Sequence, residues 1–185
     1  MVKVSDIIRL KKPDVLSSRY GKAFEKAVFV LLKEKDVAAA MRTFIEQYGE
    51  PHTGAFAKLM KLRPWTMKVF DAELAKYVEM HLDGIRFTAQ ADFVVKYFDG
   101  TKELVELKSH ILKSDEYKTK AEWFLAAKIM RMLYRRAGYD YPLRLIYFAE
   151  KDGVVKMEED VFIHPKDERD DAILLSILRK RLKQT

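Results

Sequence analysis

Two Asp-Gly dipeptides, Asp83-Gly84 and Asp99-Gly100, separate three consecutive segments that are rich in β-branched and aromatic residues. Asp-Gly favours the tight turn that joins adjacent antiparallel strands, so these segments predict a meander of hairpins. A chain that contains such a meander must cover the apolar face of its sheet with helices or with a second sheet. The three segments are residues 75–82, 85–98 and 102–109.

The sequence before the meander has the apolar spacing of helices. A first helix is predicted to begin at a cap formed by Ser17 or Ser18. A second helix is closed by Gly49, and a third is expected to end before Pro64 because proline disfavours helical backbone in the residue that precedes it. The predicted helices cover residues 19–35, Val37–Tyr48 and 53–62.

A long helix and a strongly apolar strand are predicted after the meander. Gly138 lies just past the predicted end of the helix, where a terminating glycine is common, and Pro165 is expected to open a last helix. This order of elements predicts an α/β fold with a mixed central sheet flanked by helices. The ranges are a helix over 115–137, a buried central strand over 143–149, and short strands over 154–157 and 161–164. We expect one domain, with a basic helical part (17–70), a sheet core (71–164) and a C-terminal helix (165–185).

The composition limits the kinds of site and the location that we expect. The absence of cysteine excludes disulfides, thiolate metal sites and cysteine-ligated iron–sulfur clusters. No apolar run approaches the roughly 20 residues that span a bilayer, so we expect no membrane association. The N-terminus also lacks the apolar core of a signal peptide, which favours a cytoplasmic location. The lack of asparagine and the high charge content are typical of thermophilic proteins.

The net charge of +7 belongs to the N-terminal part of the chain. Residues 1–70 contain 14 lysines and arginines against 7 acidic residues, whereas the remainder contains 21 of each. Such a local surplus is typical of a surface that binds a polyanion, and nucleic acid is the commonest one. A solvated helical surface without a partner is the alternative explanation.

Three charged residues of the predicted strands, Asp92, Glu106 and Lys108, can converge at one place on an otherwise apolar sheet. Glu106 and Lys108 are two residues apart on one strand and therefore share a face. The Asp99-Gly100 hairpin folds the Asp92 segment back beside them. Burying two carboxylates costs on the order of several kcal/mol unless they are paired or hold a metal ion.

Metal-assisted phosphodiester cleavage would explain this arrangement. Asp92, Glu106 and the backbone carbonyl of Leu107 suit a hard divalent ion such as Mg²⁺ or Mn²⁺. The ion would activate a water molecule, and Lys108 would position that water. The alternative is a solvated cross-strand ion pair, which explains most isolated E-x-K patterns.

These residues and their order resemble the PD-(D/E)xK nuclease superfamily, in particular the RecB-like nucleases and the archaeal Holliday-junction resolvases. The family places an acidic residue at the end of one strand and (D/E)-x-K on the next, which here are Asp92 and Glu106-Leu107-Lys108. Its first helix carries a glycine followed four residues later by an acidic residue or histidine, as Gly21 and Glu25 do. The resemblance spans residues 17–150 and implies a restriction-endonuclease-like core. It also implies that Glu25 is a further catalytic residue and metal ligand.

The resemblance implies a DNA nuclease that acts in repair or recombination. A helical insert over residues 36–70 is similar to that of RecB-like exonucleases, which favours an exonuclease acting on single strands. Glu25 and Ser109 instead favour a resolvase-type endonuclease, and a non-catalytic nucleic-acid-binding protein on the same fold is a third interpretation. The chain has no phosphate-binding loop for ATP, so unwinding would require a helicase or recombination partner. A homo-oligomer is compatible with any of these interpretations.

Two features depart from the family pattern. Gln90-Ala91 stand where a proline usually precedes the first acid, and the Gln-x-x-x-Tyr motif of the following helix has no match. Lys118, Lys120 and Lys128 are polar alternatives on that helix. We expect DNA to contact Lys22, Tyr20, Lys118 and Lys120, and Tyr20 and Trp65 to be able to stack on unpaired bases.

Overall fold

The computed structural model describes residues 2–3, 15–112, 120–163 and 168–183, which form eight strands and five helices. No helix in these ranges is both long and apolar enough to cross a bilayer. In chain order the elements are β1 (Val2–Lys3), α1 (Val15–Glu34), α2 (Val37–Tyr48), α3 (Thr53–Thr66), β2 (Val69–Leu74), β3 (Val78–Leu82), β4 (Ile85–Ala89), β5 (Phe93–Tyr97), β6 (Lys102–Ile111), α4 (Lys120–Arg136), β7 (Leu143–Lys151), β8 (Val154–Ile163) and α5 (Glu168–Leu182).

Five strands form the central sheet in the order β2-β5-β6-β7-β8. β5 runs antiparallel to β2 and β6, β6 and β7 are parallel, and β8 is antiparallel to β7. The parallel pair is possible because α4 lies between β6 and β7 in the chain and allows a crossover connection. Nearly every side chain of β7 is buried, which confirms the predicted central strand.

A smaller sheet contains the other three strands in the order β1-β4-β3. β3 and β4 form a hairpin through Asp83-Gly84, where φ is 51° and 77°. Positive φ at both turn residues is what a two-residue hairpin requires, so the Asp-Gly prediction is confirmed there.

Helices cover both faces of the central sheet, as predicted. α1, α2 and α3 pack on the face that presents Val105 and Phe148. α4 packs on the opposite face, which presents Leu104. Because side chains alternate along a strand, Glu106 belongs to the α4 face of β6 and Ser109 to the α1 face.

Residues 85–98 form two strands in two sheets, so the prediction of a single strand is wrong. β4 ends at Ala89 and β5 begins at Phe93. Between them, the Ala91 N–H donates to the Tyr134 hydroxyl at 3.0 Å, and the Asp92 N–H donates to the Val105 carbonyl at 3.0 Å. Apolar and polar residues keep alternating across this crossing, so the sequence contains no signal for it.

The third helix continues through Pro64 to Thr66, whereas we expected it to end before that proline. A helical proline forfeits one backbone hydrogen bond, but here it lies in the last turn, where contacts with the core stabilise the helix. Trp65 Nε1 donates to the Tyr97 hydroxyl at 2.9 Å, and Thr66 is fully buried. These contacts come from distant parts of the chain.

Other boundaries also differ from those predicted. β2 was not predicted and forms an edge of the central sheet beside β5. β8 is one strand, because pairing with β7 continues across the interval between the two short strands that we expected. α1 begins at Val15 and includes Ser17 and Ser18, so neither serine caps it.

The second helix and its ends are confirmed. α2 covers Val37–Tyr48, the Asp36 carboxylate caps its first turn, and Gly49 ends it at a φ of 102°. Gly138, after α4, has a φ of 91°. The predicted start of that helix at residues 115–119 lies outside the described residues, as does Pro165.

Candidate active site

The β5–β6 hairpin places Asp92 beside the Glu106-Leu107-Lys108 segment. β5 and β6 pair from residue 93 onward, and Asp92 lies immediately before that pairing begins. Its Oδ2 accepts a hydrogen bond from the Leu107 N–H at 2.6 Å. The carboxylate of Asp92 therefore takes the place that a neighbouring backbone carbonyl would have in a longer β5.

This contact also orients the backbone carbonyl of Leu107. A strand residue presents its N–H and its C=O to the same neighbouring strand. Because the Leu107 N–H points to Asp92, the Leu107 carbonyl points to the same side, beyond the first residue of β5. An oxygen donor with this orientation can face a ligand beside Asp92.

Glu106 and Lys108 share a face of β6 and form an ion pair through Glu106 Oε1. The Glu106 residue is only 6% exposed, and Lys108 is partly buried. The second oxygen, Glu106 Oε2, is buried and has no hydrogen-bond partner among the described residues. A buried carboxylate oxygen without a partner is costly, so its environment fits a further cationic or donating group.

Glu25 approaches the same place from α1. Burial raises the pKa of the Glu25 carboxyl, the Glu106 carboxylate raises it further, and the Lys108 ammonium opposes the shift. These effects require Glu25 to lie near both Glu106 and Lys108. The first helix therefore brings its acidic residue to the strand that carries the E-x-K pattern.

Asp92 is the most strongly perturbed of these groups. Burial raises its pKa well above the ordinary value, and the Glu106 and Glu25 carboxylates raise it further. The Lys108 ammonium and the Leu107 N–H act in the opposite direction. The four side chains predicted from sequence therefore share one electrostatic environment at the start of β5.

The oxygen atoms at this place are of the type that hard divalent cations prefer. The site offers three carboxylates that repel one another, an unsatisfied Glu106 oxygen and the Leu107 carbonyl. In the described ranges, no group of three or more histidine, aspartate or glutamate side chains is placed so that it could hold a metal ion. Instead, the Lys108 ammonium supplies the positive charge next to Glu106.

The residues predicted to contact DNA have different environments. Lys22 is exposed on α1, and its charge is close enough to lower the pKa of Glu25. Tyr20 is fully buried, so the prediction that it stacks on a base is wrong. Its position follows the apolar spacing of α1, which places its ring in the core beside Phe24. Trp65 is partly buried, Lys118 lies outside the described residues, and only the backbone of Lys120 is described.

Tyr134 contributes to the site in a way that the sequence did not reveal. Its hydroxyl accepts from the Ala91 N–H at 3.0 Å and donates to the Lys76 carbonyl. Burial, together with the nearby Glu106 and Asp92 carboxylates, raises the pKa of Tyr134 to about 12. Tyr134 therefore holds the crossing that leads into Asp92, although its helical spacing indicated only a core residue.

A buried polar cluster was also not predicted from the sequence. Two of its residues, Lys58 and Glu150, lie at positions where the sequence pattern predicts apolar residues. Lys58 lies between Ala55 and Leu62 on the apolar face of α3, and Glu150 follows the apolar run of β7. Both residues are buried, at 0% and 1% exposure. A charged residue at an apolar-face position was the available signal.

Comparison with solved structures finds partial similarities. The protein SSO0001 is 14% identical with a TM-score of 0.46, and the match covers 100% of this chain and 76% of that one. A provisionally named exonuclease from Eubacterium rectale is 14% identical with a TM-score of 0.46, over 95% of this chain and 69% of that one. No protein-family model and no curated protein matches the chain. At these identities and scores the similarities carry no information on activity.

Proposed function

We propose that this protein is a Mg²⁺- or Mn²⁺-dependent nuclease that hydrolyses phosphodiester bonds of DNA. The observation that carries the proposal is that the β5–β6 hairpin brings the Asp92 carboxylate to the Leu107 N–H at 2.6 Å, beside the Glu106–Lys108 ion pair. Gathering like charges beside an apolar core is unfavourable unless a bound ion or a reaction uses them. Strongly perturbed acidic groups of this kind are typical of catalytic sites.

The side chains have separate roles in the proposed reaction. Glu25, Asp92, Glu106 and the Leu107 carbonyl would hold the ion, because hard cations prefer oxygen donors. When bound, the ion supplies an activated water and neutralises charge that develops on the phosphate. Lys108 lies on the same strand face as Glu106, so its ammonium can orient the attacking water toward the phosphorus.

Two basic residues of α1 are suited to hold the substrate. Lys22 and Lys26 are both exposed, and both charges lower the pKa of Glu25. Lys26 also donates to Gln47 on α2 at 2.6 Å, which fixes its position on the surface. We assign both to the DNA backbone beside the scissile bond, since phosphate contacts position a nucleic acid without reading its sequence.

Incubation of the protein with end-labelled single-stranded, duplex and four-way-junction DNA tests the proposal. Cleavage with Mg²⁺ or Mn²⁺ and none with EDTA is the expected result. DNA that is bound but never cut with either ion would contradict the nuclease and would favour the non-catalytic binding protein.

The products of the same assay separate the two kinds of nuclease. We propose a single-strand exonuclease, because α2 and α3 form a helical segment between α1 and the sheet, as expected for the RecB-like group. An exonuclease gives a ladder or mononucleotides from single strands. Paired nicks in the junction, with intact single strands, would instead identify a resolvase-type endonuclease.

A further inference from the structure

A buried polar cluster lies on the sheet face opposite Glu106. It is formed by Tyr20, His52, Lys58, Ser109 and Glu150, and we call it the Lys58 cluster. Lys58 Nζ lies 2.5 Å from Glu150 Oε2 and donates to the Tyr20 hydroxyl at 3.0 Å and to Ser109 Oγ at 2.8 Å. The Tyr20 hydroxyl donates to Glu150 Oε2 at 3.1 Å.

The cluster connects the two elements that carry the candidate site. Tyr20 lies on α1, five residues before Glu25, and Ser109 lies on β6 directly after Lys108. Lys58 and Glu150 lie on α3 and β7. The ammonium of Lys58 is therefore one shared donor between the helix of Glu25 and the strand of Lys108.

Strand β6 needs support at this point. β5 pairs only with residues 102–105 of β6. Residues 108–111 of β6 therefore have β7 as their only described strand neighbour. On the β5 side, the Leu107 N–H donates to the Asp92 carboxylate at 2.6 Å. Beyond Leu107, the hydrogen bond from Lys58 to Ser109 is a side-chain contact that fixes the position of β6 against α3.

The Lys58 ammonium and the Glu150 carboxylate are closed to solvent and to substrate. Tyr20 and Lys58 are fully buried, and Glu150 is 1% exposed. The His52 imidazole covers one side, with Nε2 at 3.2 Å from Glu150 Oε1 and its ring 5.0 Å from that of Tyr20. Lys58 can therefore influence catalysis only through the elements that it holds.

Burial of this ion pair is difficult to explain by stability alone. Desolvation lowers the pKa of Lys58 to about 8, although the Glu150 carboxylate opposes that shift. Well-packed apolar side chains often stabilise a core as well as a buried ion pair does, because both charges lose their hydration. What an apolar residue cannot supply is a set of directional bonds to Ser109, Tyr20 and Glu150 together.

We propose that Lys58 is a positioning residue of the candidate active site. The Lys58 ammonium donates hydrogen bonds to both Ser109 and Tyr20, and it thereby fixes β6 relative to α1. This places Lys108, the Leu107 carbonyl and Glu25 around the candidate site. The inference rests on the proposed nuclease function, and it adds a residue that touches neither the substrate nor the ion.

Two variants test the proposal without leaving a charge unpaired in the core. Ser109→Ala removes the hydrogen bond between Lys58 and β6. Lys58→Met combined with Glu150→Gln removes both charges, since Lys58→Met alone would leave a buried carboxylate and can fail to fold. Lys61→Met is the matched control, because Lys61 lies on the same helix and pairs with Glu158 at the surface at 2.7 Å.

Single-turnover cleavage at saturating DNA, DNA affinity and hydrogen exchange of residues 108–112 are measured for each variant. We expect both test variants to cleave about tenfold more slowly or worse, with DNA affinity kept within roughly twofold, because a small displacement of catalytic groups lowers the rate steeply. Exchange at residues 108–112 should accelerate. Lys61→Met should match the parent in all three measurements.

The outcomes separate this proposal from the function on which it rests. If the parent cleaves DNA and both variants cleave equally fast, the positioning role is overturned. The same holds if lowering the assay temperature restores their rates to that of the parent, since only stability was then lost. If the parent does not cleave DNA, the nuclease proposal fails. Hydrogen exchange then still tests the anchoring role, which is overturned if exchange at residues 108–112 is unchanged in Ser109→Ala.

Discussion

Glu106 is the residue that connects the candidate site electrostatically. Its buried carboxylate pairs with Lys108 through one oxygen, and the other oxygen has no partner among the described residues. After burial, it is the largest cause of the raised pKa of both Asp92 and Glu25. A single carboxylate therefore makes its neighbours harder to ionise, and a bound cation would reverse that effect.

Asp92→Asn should stabilise the metal-free protein at neutral pH. Burial and repulsion disfavour the charged carboxylate, whereas the Asn side-chain oxygen can still accept from the Leu107 N–H. Neutralising a strained functional site commonly adds about 1 kcal/mol, or roughly 3 °C in Tm for a chain of this size. Thermal unfolding in EDTA at pH 7.5 measures the difference, and a lower Tm for the variant would contradict this account.

The stability gained by Asp92→Asn should depend on pH. A carboxyl whose pKa is raised in the folded state binds protons more readily there than in the unfolded chain, so its ionisation lowers stability as pH rises through the folded pKa. The advantage of Asp92→Asn should therefore shrink as pH falls toward the ordinary pKa of aspartate. An advantage that grows on acidification would mean that Asp92 is stabilised as a carboxylate.

At the scale of elements, the approach of α3 to β7 depends on a glycine. A Cβ at Gly54 would lie 2.1 Å from Glu150 Oε2, within the Lys58 cluster. α3 can begin beside this carboxylate only because the position has no side chain. The start of α3, the end of β7 and the shared ammonium therefore form one packed unit.

Gly54→Ala should destabilise the protein by about 1–3 kcal/mol, the usual cost of overpacking. Gly21→Ala is a matched control, because Gly21 lies inside α1 and a Cβ there meets nothing within 4 Å. Replacing a helical glycine of this kind should stabilise by about 0.5–1 kcal/mol. Urea unfolding compares the two, and equal effects of the two substitutions would refute the close approach at Gly54.

Elements whose signals are local were predictable, and those that depend on distant contacts were not. Gly49 and the Asp83-Gly84 turn carry their own backbone preference, so the ends of α2 and the β3–β4 hairpin follow from sequence. The crossing before Asp92 depends on the Tyr134 hydroxyl, 43 residues away. The last turn of α3 depends likewise on Tyr97.

The same distinction applies to the candidate site. Asp92, Glu106 and Lys108 could be grouped from alternation and one hairpin, because all three lie within the β5–β6 unit. Lys58 and Glu150 are 92 positions apart and meet only when α3 packs on β7, so no spacing in the sequence joins them. We predicted that Tyr20 contacts DNA because it lies in the basic part of the sequence. Its position on the apolar face of α1 instead places it in the core.

At the scale of the whole molecule, the charge surplus of residues 1–70 is not all available to a ligand. Lys58 is buried with Glu150, and Lys33 pairs with Asp71 at 2.7 Å. Lys22 and Lys26 remain exposed beside Glu25. The part of the surplus that can bind a polyanion therefore includes the surface next to the candidate site.

DNA affinity should fall steeply with added salt, because each phosphate contact releases counterions. Lys22→Ala should weaken binding at low salt and reduce the slope of log K against log salt by about 1. Fluorescence anisotropy with labelled single-stranded DNA measures both quantities. Affinity that does not change with salt, or a slope unaltered by Lys22→Ala, would remove α1 from the DNA-binding surface.

Single-turnover cleavage by the parent and by Glu106→Gln, with Mn²⁺ and saturating labelled DNA, tests the central claim most directly. Glu79→Gln is the control, because Glu79 is an exposed strand carboxylate paired with Arg86 in the smaller sheet. Loss of a metal-holding carboxylate should lower the cleavage rate of Glu106→Gln by at least ~10²-fold while DNA binding is retained. Glu79→Gln should cut like the parent. Equal cleavage by Glu106→Gln and the parent would contradict the assignment of this site.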